Sequence, residues 1–330
     1  MKMHAKHHGW LRRAQALCMM LGLLAVVGLA GCGASNSSSL SGLVLVAQVN
    51  GNGIGLSGYQ QFMTYAERAE TGTQTSWQSP SGRAAQASLQ SSVLNFLIDV
   101  ELAREQAQAC GVSVSQKDIA AQKQRFLSTA NSVLKDPTNS AWPTYHALVT
   151  TPYALQLYSE QQAYQVNLLK VLHLPTAHVS YIVVSSRTQA ESLLQQAQHG
   201  ADFAKLGQQV QSNPVGTASY SDVGVQYIGE FLSDFDKVAF AIGKPTKPGC
   251  YNNLRFSHAP DQYRMYALTG QSVGQYVVVK ATGLANMPVS AIGDSQTEAS
   301  VFSAWLDEIV RLPGNSNIQK YPLPATTAGS

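Results

Sequence analysis

Leu89, Val93, Phe96, Leu97 and Val100 recur at three- and four-residue spacing, which predicts a helix buried along one side over residues 84–110. Gly111 stands where a C′ glycine would close it. Upstream, "LVLVAQVNGNGI" (43–54) predicts a strand followed by an Asn-Gly turn, and Ser57 is the expected N-cap of a helix through "GYQQFMTYAERA". Downstream, Ser115 and Asp118 have the spacing of a capping box for "QKDIAAQKQRFLSTANSVL". Pro137, Pro143 and Pro152 leave room for a short helix at most, and Tyr153 to Leu172 reads as another helix.

At Pro175 the pattern changes. "HVSYIVVSS" (178–186) is a β-branched run with an aromatic, Tyr181, set in its middle. "RTQAESLLQQAQHG" predicts a helix with Ala190, Leu193, Leu194 and Ala197 on one face, closed by Gly200. A second helix, "ADFAKLGQQV", leads into a Gly/Ser/Asn-rich loop, a short helix "FLSDFDKVAFAI" and a long loop through Cys250. The strands "QYRMYALTG" and "GQYVVVKAT" follow. The order β-α-α-α-β-β defines a small α+β domain behind a mostly helical one. Then "SQTEASVFSAWLDEIVRL" predicts an amphipathic helix with Val301, Ala304, Trp305 and Ile309 on one side. The tail "PGNSNIQKYPLPATTAGS" is expected to be loosely ordered.

Composition changes this picture mainly at the N-terminus. The formal charge of +3 arises there, because Lys2, Lys6, Arg12 and Arg13 have no acid beside them. Without those four, 18 basic residues face 19 acidic ones, so the remainder lacks the basic face that nucleic acid requires. The basic start leads into "ALCMMLGLLAVVGLAG", short for a bilayer span and of signal-peptide length. It ends in "LAGC", which resembles a bacterial lipobox, so lipidation of Cys32 and an extracytoplasmic, membrane-anchored chain are expected. The alternative is an uncleaved N-terminal anchor. "GASNSSSLSG" after Cys32 lacks apolar periodicity and is expected to be a flexible tether.

Cys110 and Cys250 then remain; they could pair, but the favoured reading of Cys110, in "AQACGV", is a small buried hydrophobe. No Cys/His cluster has metal-ligand spacing, and no cofactor is expected. There is no P-loop and no H-E-x-x-H.

"VSYIVVSSRTQAESLLQQAQHGADFAKLGQQV" resembles the opening of a parvulin domain, a peptidyl-prolyl cis-trans isomerase fold, with Gly200, Asp202 and Phe203 as its Gly-x-Asp-Phe stop. Asp222, Val223 and Gly224 match the family's Asp-Leu-Gly; Phe231, Phe235 and Phe240 match later apolar positions, and "GQYVVVK" matches the closing strand. "VAQVNGNGI", "LIDVELAREQAQACGVSVS" and "FSAWLDEIV" look like the chaperone part of SurA- and PrsA-like foldases. The expected organisation is a signal peptide over 1–31 and a lipidated tether over 32–42, followed, as the resemblance implies, by a helical chaperone domain over 43–174, a parvulin-like domain over 175–283, and over 284–330 a C-terminal helix packing on the chaperone domain, plus the tail. It implies unfolded or nascent exported proteins containing proline as partners.

The resemblance also implies a site. Val223, Phe231 and Phe235 fall on the prolyl pocket. The two histidine positions of the family's polar cluster fall on Tyr181 and Tyr276, and its Asp/Cys position falls near Asn213. His178 lies three residues before position 181, an odd offset that aims it at the opposite face of a strand. Rotation about an X-Pro bond has a barrier of roughly 18–20 kcal/mol set by amide resonance, and lowering it requires tighter binding of the twisted amide, not proton transfer. A tyrosine hydroxyl is a neutral donor and acceptor. The expected activity is therefore weaker than that of a member with the full cluster. The alternatives are an isomerase, a non-catalytic holdase of the same architecture, and, more distantly, a solute-binding lipoprotein. Tyr181 and Tyr276 read either as sheet-face filling or as the lining of a proline groove.

Overall fold

The computed structural model describes residues 44–70, 79–216, 218–228, 230, 250–251, 262–267, 274–292, 295–311 and 314–323. The chain divides into two compact units, the first comprising Met1–Asn167 with Ser316–Ser330 and the second Leu168–Asn315.

The first unit opens on the hairpin β1 (Leu45–Val49) and β2 (Asn52–Gly55). Asn50 and Gly51 both take positive φ (49° and 97°), the geometry that makes Asn-Gly the favoured two-residue hairpin turn. Glu105 fixes that turn, because its carboxylate accepts from the side-chain amides of Asn50 and Asn52, both at 2.6 Å. Five helices follow: α1 (Leu56–Glu70), α2 (Pro80–Ala109), α3 (Gln116–Val133), α4 (Trp142–Val149) and α5 (Pro152–Leu169).

The α3 capping box is formed in both directions between Ser115 and Asp118. Ser57, in contrast, is not a cap. The helix starts at Leu56, and the Ser57 hydroxyl meets the Gln61 amide one turn on. The core of this unit holds Phe62, Tyr65 and Tyr158, with Tyr65 and Tyr158 edge to face at 5.6 Å. Their hydroxyls hydrogen-bond each other at 3.3 Å, which satisfies two buried polar groups at once. The tail departs from expectation: β7 (Ile318–Lys320) pairs antiparallel with β1, giving the sheet order β2-β1-β7.

The second unit is built on an antiparallel sheet of order β4-β3-β6-β5, from β3 (His173–Val184), β4 (Ala218–Tyr227), β5 (Gln262–Ala267) and β6 (Tyr276–Pro288). Ser186 caps α6 (Arg187–Gln198), and Asp202 caps α7 (Phe203–Ser212) by accepting from the backbone of Ala204 and Lys205. Ile182, Val184 and Val278 on one sheet face pack with Ala190, Leu193 and Ala197 of α6 and Phe203, Leu206 and Val210 of α7. Each large side chain so buried contributes about 1.5–3 kcal/mol.

β4 occupies residues expected to be loop, so the unit has a strand that the order β-α-α-α-β-β lacks. The helix expected over "FLSDFDKVAFAI" lies outside the described residues. After β6, α8 (Ser295–Trp305) runs into a π-helical turn, Leu306–Val310. There the buried Trp305 indole donates to the Tyr251 carbonyl at 3.0 Å. Cys110 is half-buried and disulfide-bonded, which overturns the reading of a small buried hydrophobe.

Candidate functional site

The register of the sheet decides which residues can act together. Tyr181 pairs with Ser221 of β4 and Val279 of β6, and Val279 pairs in turn with Arg264 of β5. Directly opposite residues share a face. Ser221, Tyr181, Val279 and Arg264 therefore form one row across four strands, on the face away from α6 and α7. Tyr276 pairs with Val184 and packs against the helix-side core.

Tyr181 and Tyr276 thus lie on opposite faces of the sheet, and the expected cluster containing both is not formed. The reason is parity: one residue of register exchanges the faces. On β6 the residues that share the face of Tyr181 are Val277 and Val279, both buried. Tyr276 instead belongs with Tyr220, Tyr263 and Met265 around the helix-side core.

The remaining expected positions are dispersed. Asn213 is the exposed C-cap of α7. Val223 is half-buried and is the extra residue of a β-bulge, since Val179 faces Gly224 while Ser180 faces Asp222. Phe231, Phe235 and Cys32 lie outside the described residues.

At that bulge the structure assembles a polar group that sequence reading set aside. His178 Nε2 lies 2.6 Å from Asp222 Oδ1, with each side chain about half exposed (48% and 49%). The same oxygen accepts from the Gly224 amide at 3.2 Å, and the Ser180 hydroxyl also hydrogen-bonds the carboxylate. His178, first, and these other donors hold the Asp222 carboxyl below its usual range, against the opposing effect of burial.

The offset of three that separates His178 from Tyr181 does place them on opposite faces. The signal for the His178–Asp222 pair was therefore absent from β3 alone. It required β4 to be a strand with a bulge that brings Asp222 opposite Ser180. Next in that row stand Lys280, opposite Ser180, and Tyr263, whose ring lies 5.8 Å from the Lys280 ammonium. Among the described residues no group of three or more His, Cys, Asp or Glu could hold a metal ion, and no helix is long and apolar enough to cross a membrane.

This arrangement can hydrogen-bond a ligand on either face. The Tyr181 side offers a hydroxyl beside Ser221 on a valine floor, and the opposite side offers a carboxylate-held imidazole. Neither geometry contains an activated nucleophile, because both Ser180 and His178 bond Asp222 and not each other.

Residues 8–126 match the family described as the SurA-like N-terminal domain. No curated protein matches. A solved structure, the peptidylprolyl isomerase PrsA from Bacillus anthracis, is 14% identical over 65% of this chain and 96% of its own, with a TM-score of 0.24. At that score the superposition carries no argument.

Proposed function

We propose that this protein is an extracytoplasmic folding factor, held on a membrane by lipidated Cys32, that binds unfolded exported chains and acts on them mainly as a chaperone. The SurA-like N-terminal domain over residues 8–126 is the observation that carries this reading. The sheet of the second unit favours a chaperone over an efficient isomerase. Among the described residues, Tyr181 shares its face and row with Ser221, Val279 and Arg264, and no histidine stands beside it. One neutral hydroxyl donor beside apolar floor supplies only part of what stabilises a twisted amide.

The isomerase remains the second reading, because Tyr181 could still donate to a bound X-Pro carbonyl from a dry surface. Two assays with the same preparation separate the readings. Suppression of client aggregation at stoichiometric protein is expected, together with little acceleration of cis-to-trans conversion in a proline tetrapeptide. Loss of a measurable acceleration in Tyr181→Phe would establish the second reading instead. Absence of both activities would return the solute-binding alternative. Anchoring is tested separately, since Cys32→Ala should move the chain from the membrane to the soluble fraction.

A further inference from the structure

The edge of a sheet is where backbone groups are open to pairing with a further strand. Among the described residues β4 is the terminal strand on one side, with Val225 59% exposed and Asp222 about half exposed. An exposed edge is a template on which extended polypeptide adds as a further strand. Strand residues two apart direct their backbone groups to the same side, so Val223, Val225 and Tyr227 share the side that their neighbours do not.

Each of these three residues has a polar backbone group taken by a side chain of its own segment. The Gln226 amide nitrogen donates to the carbonyls of both Val223 and Val225, each at 2.9 Å. The Tyr227 amide donates to the Glu230 carboxylate. Within the bulge, the Gly224 amide donates to Asp222, and Gly224 itself takes φ 75°, which breaks the flat ribbon an incoming strand would match. Asp222 is in turn held by His178 and Ser180 from β3.

We infer that the segment from Asp222 to Tyr227 is a self-capped stop on the β4 edge, which prevents an extended polypeptide segment from pairing there as a fifth strand. Its parts have distinct duties. Gln226 fills the acceptors, Glu230 fills the Tyr227 donor, and Asp222, held by His178, binds the Gly224 amide and so fixes the bulge. The inference concerns a surface of the sheet and stands whether or not the chain is an isomerase.

The probe is a fluorescein-labelled peptide of the β4 sequence, ASYSDVGVQY, titrated by anisotropy into the full-length protein. Gln226→Ala frees two edge carbonyls and leaves the His178–Asp222 pair intact. It should bind the peptide about tenfold more tightly than the wild type, the factor that one to two recovered backbone hydrogen bonds provide. Affinities within about twofold of each other, whether both proteins bind or neither does, would overturn the inference. Should Gln226→Ala fail to fold by circular dichroism, the wild-type chain still decides the matter through amide exchange. The Tyr227 amide should exchange at least about tenfold more slowly than in the free peptide, and equal rates would overturn the inference.

Discussion

Asp222 collects donors from β3 and from its own strand, so its ionisation bears on how the two strands hold together. Its folded-state carboxyl titrates below the unfolded value, first because of the hydrogen bond from His178. A depressed acid contributes stability that is present above the unfolded value, near ~3.9, and is lost as pH falls through the folded one. Asp222→Asn should therefore flatten the decline of the melting temperature below about pH 4. An acid limb of unchanged slope would count against any role for this carboxylate in the fold. At this scale the sequence was informative about parity but not about partners. The odd offset from Tyr181 to His178 sets their faces from β3 alone. The face of Tyr276 relative to Tyr181 depends on a cross-strand register that no residue of either strand encodes by itself.

Elements signalled by local chemistry were legible, and those created by pairing were not. Asn50-Gly51, the Ser115–Asp118 box and the Gly111 and Gly200 helix ends all act within a few residues, and all occur where the pattern predicts them. β4 reads as loop because "ASYSDVGVQY" has no β-branched residue before Val223, and it becomes a strand through its pairing with β3. What lets α7 lie close to that strand is Gly207. A Cβ built there would come within 2.2 Å of the Tyr220 ring. Gly207→Ala should therefore lower stability by about 1–3 kcal/mol in denaturant titration, the usual range for overpacking. Adding Tyr220→Ala should remove part of that penalty, since the ring is what the new methyl meets. Two additive losses would show that the contact is not the cause.

For the molecule as a whole, the α+β class followed from the change of periodicity at Pro175, whereas the return of the chain did not. A tail rich in Pro, Asn and Thr carries no apolar stripe, yet residues 316–330 belong to the first unit and not to the second that immediately precedes them. The contacts responsible are all distant in sequence. The amide of Asn317 donates to Asn50 Oδ1 at 2.7 Å, and the Asn50 amide donates to the Asn317 carbonyl at 2.8 Å. The Tyr321 amide donates to the Val46 carbonyl at 3.0 Å, and Lys320 Nζ donates to Asn95 on α2 at 2.8 Å. At roughly 0.5–1.5 kcal/mol each, these bonds are together worth on the order of 3 kcal/mol, and all of it falls on the β1 hairpin and α2. Deleting residues 316–330 should accelerate amide exchange in β1 and lower the melting transition of the first unit, while exchange across β3 and β6 stays as it was. If exchange in β3 and β6 rose as much as in β1, the two units would not be separable in stability. If neither changed, β7 would add nothing to the hairpin it pairs with. Selective loss in β1 would show instead that the first unit is completed by residues 316–330, so that removing them would leave the first unit weakened and the sheet unit intact.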